Sequence, residues 1–512
     1  MLLSAYMVTN ADDAGPGSLR QAIQDADANG GPDTINFAIP GAGVHIIRPH
    51  TPLPAITDQV TVDATTQPGY QGKPLIEING DKAPAGTNGI TLANPPGTLV
   101  AQNSILEGVI VSAFPGDGVV LAGNWDHVLD CYIGTDSSGQ SPLPNSGNGI
   151  LIEAYYDTIG RNIIAFNRGA GVSIVGNIYG DQVSADSIFS NGGIGIDLGG
   201  DGPTPNHPGG VADGPNFLQD YPTIVSAIAG STGTGLLARL DAQPDFSYAI
   251  EFFASPVGGI PGQAKTYLGT AVGLYLLYPH PLPAGTYITA TATRLSGGPE
   301  PGNTSELSPA VPVITDTSPP TVRASYADAG AWRGEFYQTI TLTYNKDMTW
   351  TADPGALTLE NLTTGRTYPS RGQFTDYTVS GNTVTINMDE KLADGNYVAT
   401  VSYTQLDFAG NPLDGSGNGV GGTDYTFNFF VLAGDVNHDR SVDFKDLVIL
   451  ARHFNQPGLA ADGDLDADGQ VDFKDLVLLA RNYGHTLPPP TTTVVNGLLA
   501  NVARARVRAS RR

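Results

Sequence analysis

The chain is 512 residues long, enough for several domains, yet charged residues make up only 15% of it, against roughly 25% in an average globular protein. With 65 Gly and 38 Pro but little Lys and Glu, few long amphipathic helices can form. Asn–Gly, Asp–Gly and Gly–Gly turns between short Val/Ile/Leu runs instead point to a mainly β, multidomain protein. The formal net charge of −25 excludes nucleic acid, whose phosphates would be repelled, and suits surface solubility and divalent cations. No stretch is long enough to span a membrane, so no transmembrane segment is expected.

Residues Thr9 to Ile23, TNADDAGPGSLRQAI, run into a short helix to about Ala28. The GSLR-x-AI core resembles the segment that precedes right-handed parallel β-helices in bacterial surface proteins. An amphipathic helix there covers the apolar cross-section of a solenoid, and residues 1–28 are assigned to this cap. From 29 to 222 one theme repeats: NGITL, DGVVL, NGILI, AGVSI and GIGIDL, with second-position glycines at 89, 118, 149 and 171, and the last strand's at 195. Gaps of this size fit one solenoid coil each, which predicts a right-handed parallel β-helix, similar to the pectin-lyase-like kind. Glycine and asparagine are expected to supply left-handed turns at the corners. Cys131, the single cysteine, excludes a disulfide framework and reads as a buried apolar residue.

β-Helices of this kind act on or bind polysaccharide, so catalysis has to be weighed. A lyase needs clustered carboxylates and an Arg or Lys base; a glycosidase needs two spaced carboxyl groups. The acids on offer are Asp126, Asp130, Asp136, Asp157, Asp181, Asp186 and Asp197, and from Pro84 to Pro222 the bases reduce to Arg161 and Arg168. No adjacent Asp pair, NTD or GHG element accompanies them, and His127 and His207 are isolated. Corner Asp and Asn are read as turn residues, and no catalytic residue is assigned. An acid cluster beside Arg161 or Arg168 would favour an enzyme. The Gly- and Pro-dense segment from Gly195 to Pro222 is expected to close the solenoid, with a further calcium loop through Asp197, Asp201 and Asp213 as the alternative.

Residues 223–314, with LLARLD, YAIEFFAS, KTYLGTAV and GTYITATATR, alternate as a half-buried antiparallel β-sandwich should. After the Pro-rich junction from Ile314, residues 315–432 resemble the bacterial Ig-like modules of surface proteins. There DFAGNPLDG is a structural loop, with Asp407 and Asn411 bracing its turn. Trp332 and Trp350 are read as sandwich residues before sugar-stacking ones.

The next segment carries the sharpest signal. GDVNHDRSVDFKDLVILARHF begins at Gly434 and GDLDADGQVDFKDLVLLARNY at Gly463. In the first, oxygen donors fall at loop positions 1, 3, 5, 9 and 12 as Asp435, Asn437, Asp439, Asp443 and Asp446; in the second, as Asp464, Asp466, Asp468, Asp472 and Asp475. Ser441 and Gln470, at position 7, offer backbone carbonyls. This is the spacing a hard cation with oxygen ligands requires, so two calcium ions are expected. Each loop should run into an apolar helix.

The pair resembles the type I dockerin, a small α-helical module over residues 433–486. The resemblance implies calcium-dependent docking to a cohesin-type protein, with Phe444, Lys445, Phe473 and Lys474 as partner-binding residues. Near-identity of the halves allows two rotated docking orientations; the opposing reading buries both phenylalanines in the helical core. Loop 2 has Gly469 at the sharp turn, whereas loop 1 has Arg440, which adds strain there. Residues 487–512 form a stiff Pro/Thr linker and an Arg-rich tail.

The expected protein is thus secreted or surface-attached, held by its docking module and presenting the β-helix to polysaccharide, a cell-wall glycan or another surface. A polysaccharide-degrading lyase or glycosidase is the alternative. MLLSAYMV lacks the charged start and apolar length of a secretory signal. Its first five residues resemble a motif ending in LLS near the start of large bacterial surface proteins, and an upstream natural start is expected.

Overall fold

The structure, a computed structural model, describes residues 4–94, 103–207, 212–241, 246–256, 263–296, 302–332, 335–348, 356–368, 377–388 and 391–490. They fall into two compact units divided at Thr315, with Gly230–Gly233 belonging to the second.

The first unit opens with a parallel β-helix. Its three sheets hold seven strands from Ser4–Val8 to Gln182–Ser184, six from His45–Ile47 to Ser187–Phe189, and five from Ile90–Ala93 to Ile196–Leu198. Every pairing in them is parallel, and register is kept from coil to coil, as in Val119↔Ile150↔Val172↔Ile196. Side chains alternate in and out, so the inward ones form columns of Ile, Val and Leu through one continuous core that includes Cys131. Burial pushes the Cys131 thiol up to about 12, which makes it an inert apolar filler. At the N-terminal end the helix Leu19–Asp27 is capped by the Ser18 hydroxyl, which accepts from Gln21 N–H at 3.2 Å. Leu19, Ala22, Ile23 and Ala26 of this helix join the same core. Burying Leu19 and Ile23 alone stabilises the cap by about 1.5–3 kcal/mol each.

The repeating glycines serve a purpose other than the expected one. Residues 89, 118, 149 and 171 have no left-handed backbone. A Cβ at Gly149 would lie 2.6 Å from Gly171 O and 2.5 Å from Ile164 Cγ2, and a Cβ at Gly118 would lie 2.6 Å from Gly149 O. They are glycine because successive coils touch backbone to backbone. Left-handed corners are taken in part by glycine and asparagine, as expected, at Asn103, Gly108, Gly134 and Gly180, and in part by larger residues, among them Trp125, Asp130, Tyr156, Arg161 and Phe166.

Closure of the solenoid also differs from expectation. Asn216, from the Gly195–Pro222 segment, accepts from Asp181 N–H at 3.0 Å. Much of the remaining edge is met by the β-sandwich that follows. Ala264 pairs with Ile188, Thr304 Oγ1 accepts from Val183 N–H at 3.0 Å, and Gln263 bonds the Asn191 backbone. Phe253, Ala264 and Leu307 enter the β-helix core itself. The sandwich has two four-stranded sheets around its own core of Leu236, Ile250, Phe252 and Ile288.

In the second unit two four-stranded antiparallel sheets, from Val322–Trp332 to Tyr425–Val431, enclose a core of Ile340, Leu342, Leu359, Ile386 and Tyr397. Asn411 N–H donates to Asp407 Oδ1 at 2.8 Å and its amide to the Asp316 carbonyl, which braces the turn as expected. Trp332 ends the first of these strands, and Trp350 lies outside the described residues. Two ten-residue helices, Phe444–His453 and Phe473–Asn482, complete the unit. No helix among the described residues is long and apolar enough to cross a membrane.

Candidate metal centre

Both acidic loops close onto their helices by the same bonds. Asp443 and Asp472 are N-caps, accepting from Lys445 and Lys474 N–H at 2.7 Å each. In return Asp446 and Asp475, three residues on, accept from the cap N–H groups at 2.8 and 2.7 Å, which completes two capping boxes. The second oxygen of Asp446 accepts from Val436 and Asn437 N–H, and that of Asp475 from Leu465 and Asp466 N–H. Position 12 is therefore fully buried in both loops and pulls the loop start onto the helix start. Val442 and Val471, at position 8, are the buried pins that join the loops to a small core with Val436, Leu450 and Leu479.

The carboxylates of Asp464, Asp466 and Asp468 bring one oxygen each within 4.8 Å of one another. Asp464 Oδ1 is buried and has no hydrogen-bond partner, while its Oδ2 accepts from Gly469 N–H at 2.9 Å. An orphaned buried oxygen costs free energy unless a cation or donor meets it, so the donor set fits a hard divalent ion. Burial, then the Asp475, Asp466 and Asp468 charges, push the Asp464 carboxyl above its usual range. In loop 1 Asp435 Oδ2 likewise accepts from Arg440 N–H at 2.8 Å, but its Oδ1 accepts from Asp439 N–H at 3.1 Å and Asn437 replaces one carboxylate. Ser441 and Gln470 follow each turn on the way to the helix, Ser441 bridging to Thr486 and Gln470 pairing with Pro457.

Phe444 and Phe473 are 65% and 68% exposed and lie outside the small core, so they are not buried in the helical core. They are the first residues of their two helices. Lys445 and Lys474 lie beside them, each ammonium folded onto its own position-5 carboxylate, Asp439 at 2.6 Å and Asp468 at 2.5 Å. These bonds hold both carboxyls below their usual range. The sequence reading did not foresee them, although position 5 and the lysine stand six residues apart in both copies.

The β-helix acids are mostly ladder residues. Asp126, Asp157 and Asp181 stack in one column, each Oδ1 accepting a backbone N–H from the coil before, at 2.8, 2.8 and 3.0 Å. Asp186 does the same for Asn162 at 2.7 Å, and Asn145, Asn167 and Asn191 form an amide column. The second oxygen of all four aspartates is buried without a partner. Burial pushes Asp126, Asp181 and Asp186 up to about 7, and raises Asp157 well above the usual carboxylate range with help from the Asp181 and Asp126 charges.

Asp136 closes its own exposed loop through Ser138 and Ser141, and Asp197 accepts from Gly200 and Gly202 N–H. Asp130 and Arg161 are the exception: they pair at 2.6 Å on the surface, near Glu107, whose carboxyl is raised by burial and then by the Asp63 and Asp130 charges, with Arg161 opposing them. The bond to Asp130 raises Arg161 too, so this guanidinium is a fixed cation and a poor base.

Residues 433–483 match the dockerin type I domain model, and residues 316–429 match the bacterial Ig-like domain model. No curated protein matches the chain. Among solved structures it is similar to the enzymatically active domain of bacteriophage CBA120 tailspike protein 2, at 12% identity over 77% of this chain and 82% of that one, with a TM-score of 0.16. The chain is therefore a modular β protein carrying a bacterial Ig-like domain and a dockerin type I domain. Dockerin type I domains bind calcium and dock onto cohesin-type partners, and proteins that carry them are typically extracellular or on the cell surface.

Proposed function

We propose that this protein is an extracellular or surface-held modular protein anchored through residues 433–486 by a calcium-dependent plug, with the β-helix as the presented part. In this reading two calcium ions are held, one by Asp435, Asn437, Asp439, Asp443 and Asp446 with the Ser441 carbonyl, the other by Asp464, Asp466, Asp468, Asp472 and Asp475 with the Gln470 carbonyl. When bound, the ion supplies the positive charge that lets five oxygens converge, and so couples binding to folding. The partner, a cohesin-type protein, meets Phe444 with Lys445 or Phe473 with Lys474, in either of two rotated orientations. The observation that carries this is the twinned exposure of those two phenylalanines beside matched oxygen-donor loops. The β-helix would then meet a polysaccharide or cell-wall glycan.

The test is binding of the full chain to a panel of purified cohesins, with calcium and with EDTA. Phe444→Ala and Phe473→Ala should each leave binding largely intact, and the double variant should lose it. Calcium-independent binding, or none to any cohesin, would sink the proposal.

The alternative, a polysaccharide-degrading lyase or glycosidase, has one observation in its favour: Asp130 and Glu107 stand beside Arg161. A fixed Arg161 speaks against a lyase base, which leaves Glu107 as the general acid of a glycosidase under this reading.

A further inference from the structure

Loops 1 and 2 share their capping bonds and the position-6 N–H to the position-1 carboxylate, but differ in the residue at position 6. Gly469 there meets nothing within 4 Å of where a Cβ would sit. Arg440 occupies the same left-handed backbone, at φ 73°, although a side chain is strained in that region. Its backbone is locked on both sides, the N–H donating to Asp435 Oδ2 at 2.8 Å and the carbonyl accepting from Leu487 N–H at 2.9 Å. Its guanidinium leaves the loop for the Ig-like sheet, donating to Asn396 Oδ1 at 2.7 Å and lying 4.2 Å from the centroid of Phe430. Asn396 in turn donates to the Pro488 carbonyl at 2.9 Å. Leu487 is buried, so the start of the proline-containing linker is a packed strap here and not a free spacer.

We infer that loop 1 is the clasp that fixes the docking module to the Ig-like domain, and that its calcium occupancy and this interdomain contact are coupled through Arg440. The inference rests on the calcium reading of the loops proposed above. The position-1 carboxylate that would hold the ion also sets the Arg440 backbone, so closing the loop aims the guanidinium at Asn396. By linkage, whatever the ion does for the clasp the clasp does for the ion. Loop 2 has glycine at position 6, so no position-6 side chain ties it to the Ig-like sheet, and Phe444 and Phe473 both stay exposed for a partner. The two near-identical halves thus divide their work.

The test is calcium calorimetry on the full chain, in which wild type should show two sites. Asn396→Ala, a change in the Ig-like domain, should weaken one site about fivefold or more, the lower end of usual coupling, and leave the other unmoved. Asp435→Ala should identify the weakened site as loop 1 by removing it. Spin labels at Thr358→Cys and Arg481→Cys give a second readout. Wild type with calcium should show one narrow distance distribution that broadens with EDTA, and Arg440→Gly should broaden it with calcium present.

Two unchanged sites in Asn396→Ala, or a narrow distribution in Arg440→Gly, would overturn the inference. Absence of any calcium heat in wild type would instead sink the reading beneath it.

Discussion

The column of Asp126, Asp157 and Asp181 makes the β-helix respond to pH in a direction opposite to that of most proteins. A paired surface carboxylate is more acidic when folded and loses stability in acid; these are less acidic when folded. For Asp126 the shift is from 3.8 to about 7, caused by burial and only partly offset by the Ser104 N–H. A folded value raised in this way means that the contribution is full below pH 3.8 and is lost as pH climbs to about 7.

At about 1.4 kcal/mol per unit, a gap of roughly three units amounts to a penalty on the order of 4 kcal/mol above neutrality. Asp126→Asn replaces the acid by a permanently neutral group of the same shape, and Asn216 shows that an amide fits this column. The new NH₂ leaves about 1–3 kcal/mol unsatisfied where it finds no acceptor. The variant should therefore be less stable than wild type at pH 4 and more stable at pH 8, with a crossing between. Urea melts followed by Trp125 fluorescence, with Trp332 and Trp350 changed to Phe, would read the β-helix alone. Parallel stability–pH curves for variant and wild type would refute the reasoning.

Other outcomes follow from single contacts. Asp464→Ala should abolish one of two calcium sites in calorimetry, whereas Lys474→Ala should tighten that site by removing the ammonium from Asp468. Gly149→Ala, with a Cβ 2.5 Å from Ile164, should destabilise the β-helix by about 1–3 kcal/mol or more in the same urea melts. Glu107→Gln should leave the melt unchanged, and should abolish glycan cleavage in any assay where wild type shows it; undiminished cleavage would remove Glu107 from the alternative reading.

The features legible in the sequence were those written by spacing. A calcium loop needs donors at fixed offsets, so Asp435 to Asp446 and Asp464 to Asp475 stand out without an alignment. The solenoid period showed through its glycines, but their cause did not: a contact between Gly149 and Gly171 O is made between coils 22 residues apart, and no local rule reports it. The Asp and Asn columns were hidden for the same reason, because each carboxylate serves a backbone N–H one coil away. Left-handed Trp125 and Tyr156 were illegible because stacking of their rings, at 4.3 Å, overrides the local preference for glycine. The sealing of the last coil by Gln263 and Thr304 depends on a domain that local patterning treats as separate.

Arg440 shows how a departure from a motif becomes informative once its surroundings are known. In isolation it is a defect, since a side chain in the left-handed region costs about 1–2 kcal/mol. Against the Ig-like sheet its guanidinium gains a hydrogen bond to Asn396, about 1.5–3 kcal/mol for a charged donor. The Phe430 ring adds about 0.5–1 kcal/mol. The gains exceed the cost only while both domains are in place. A loop strained alone and relaxed in its own chain is what the proposed coupling between the Ig-like domain and the first oxygen-donor loop requires.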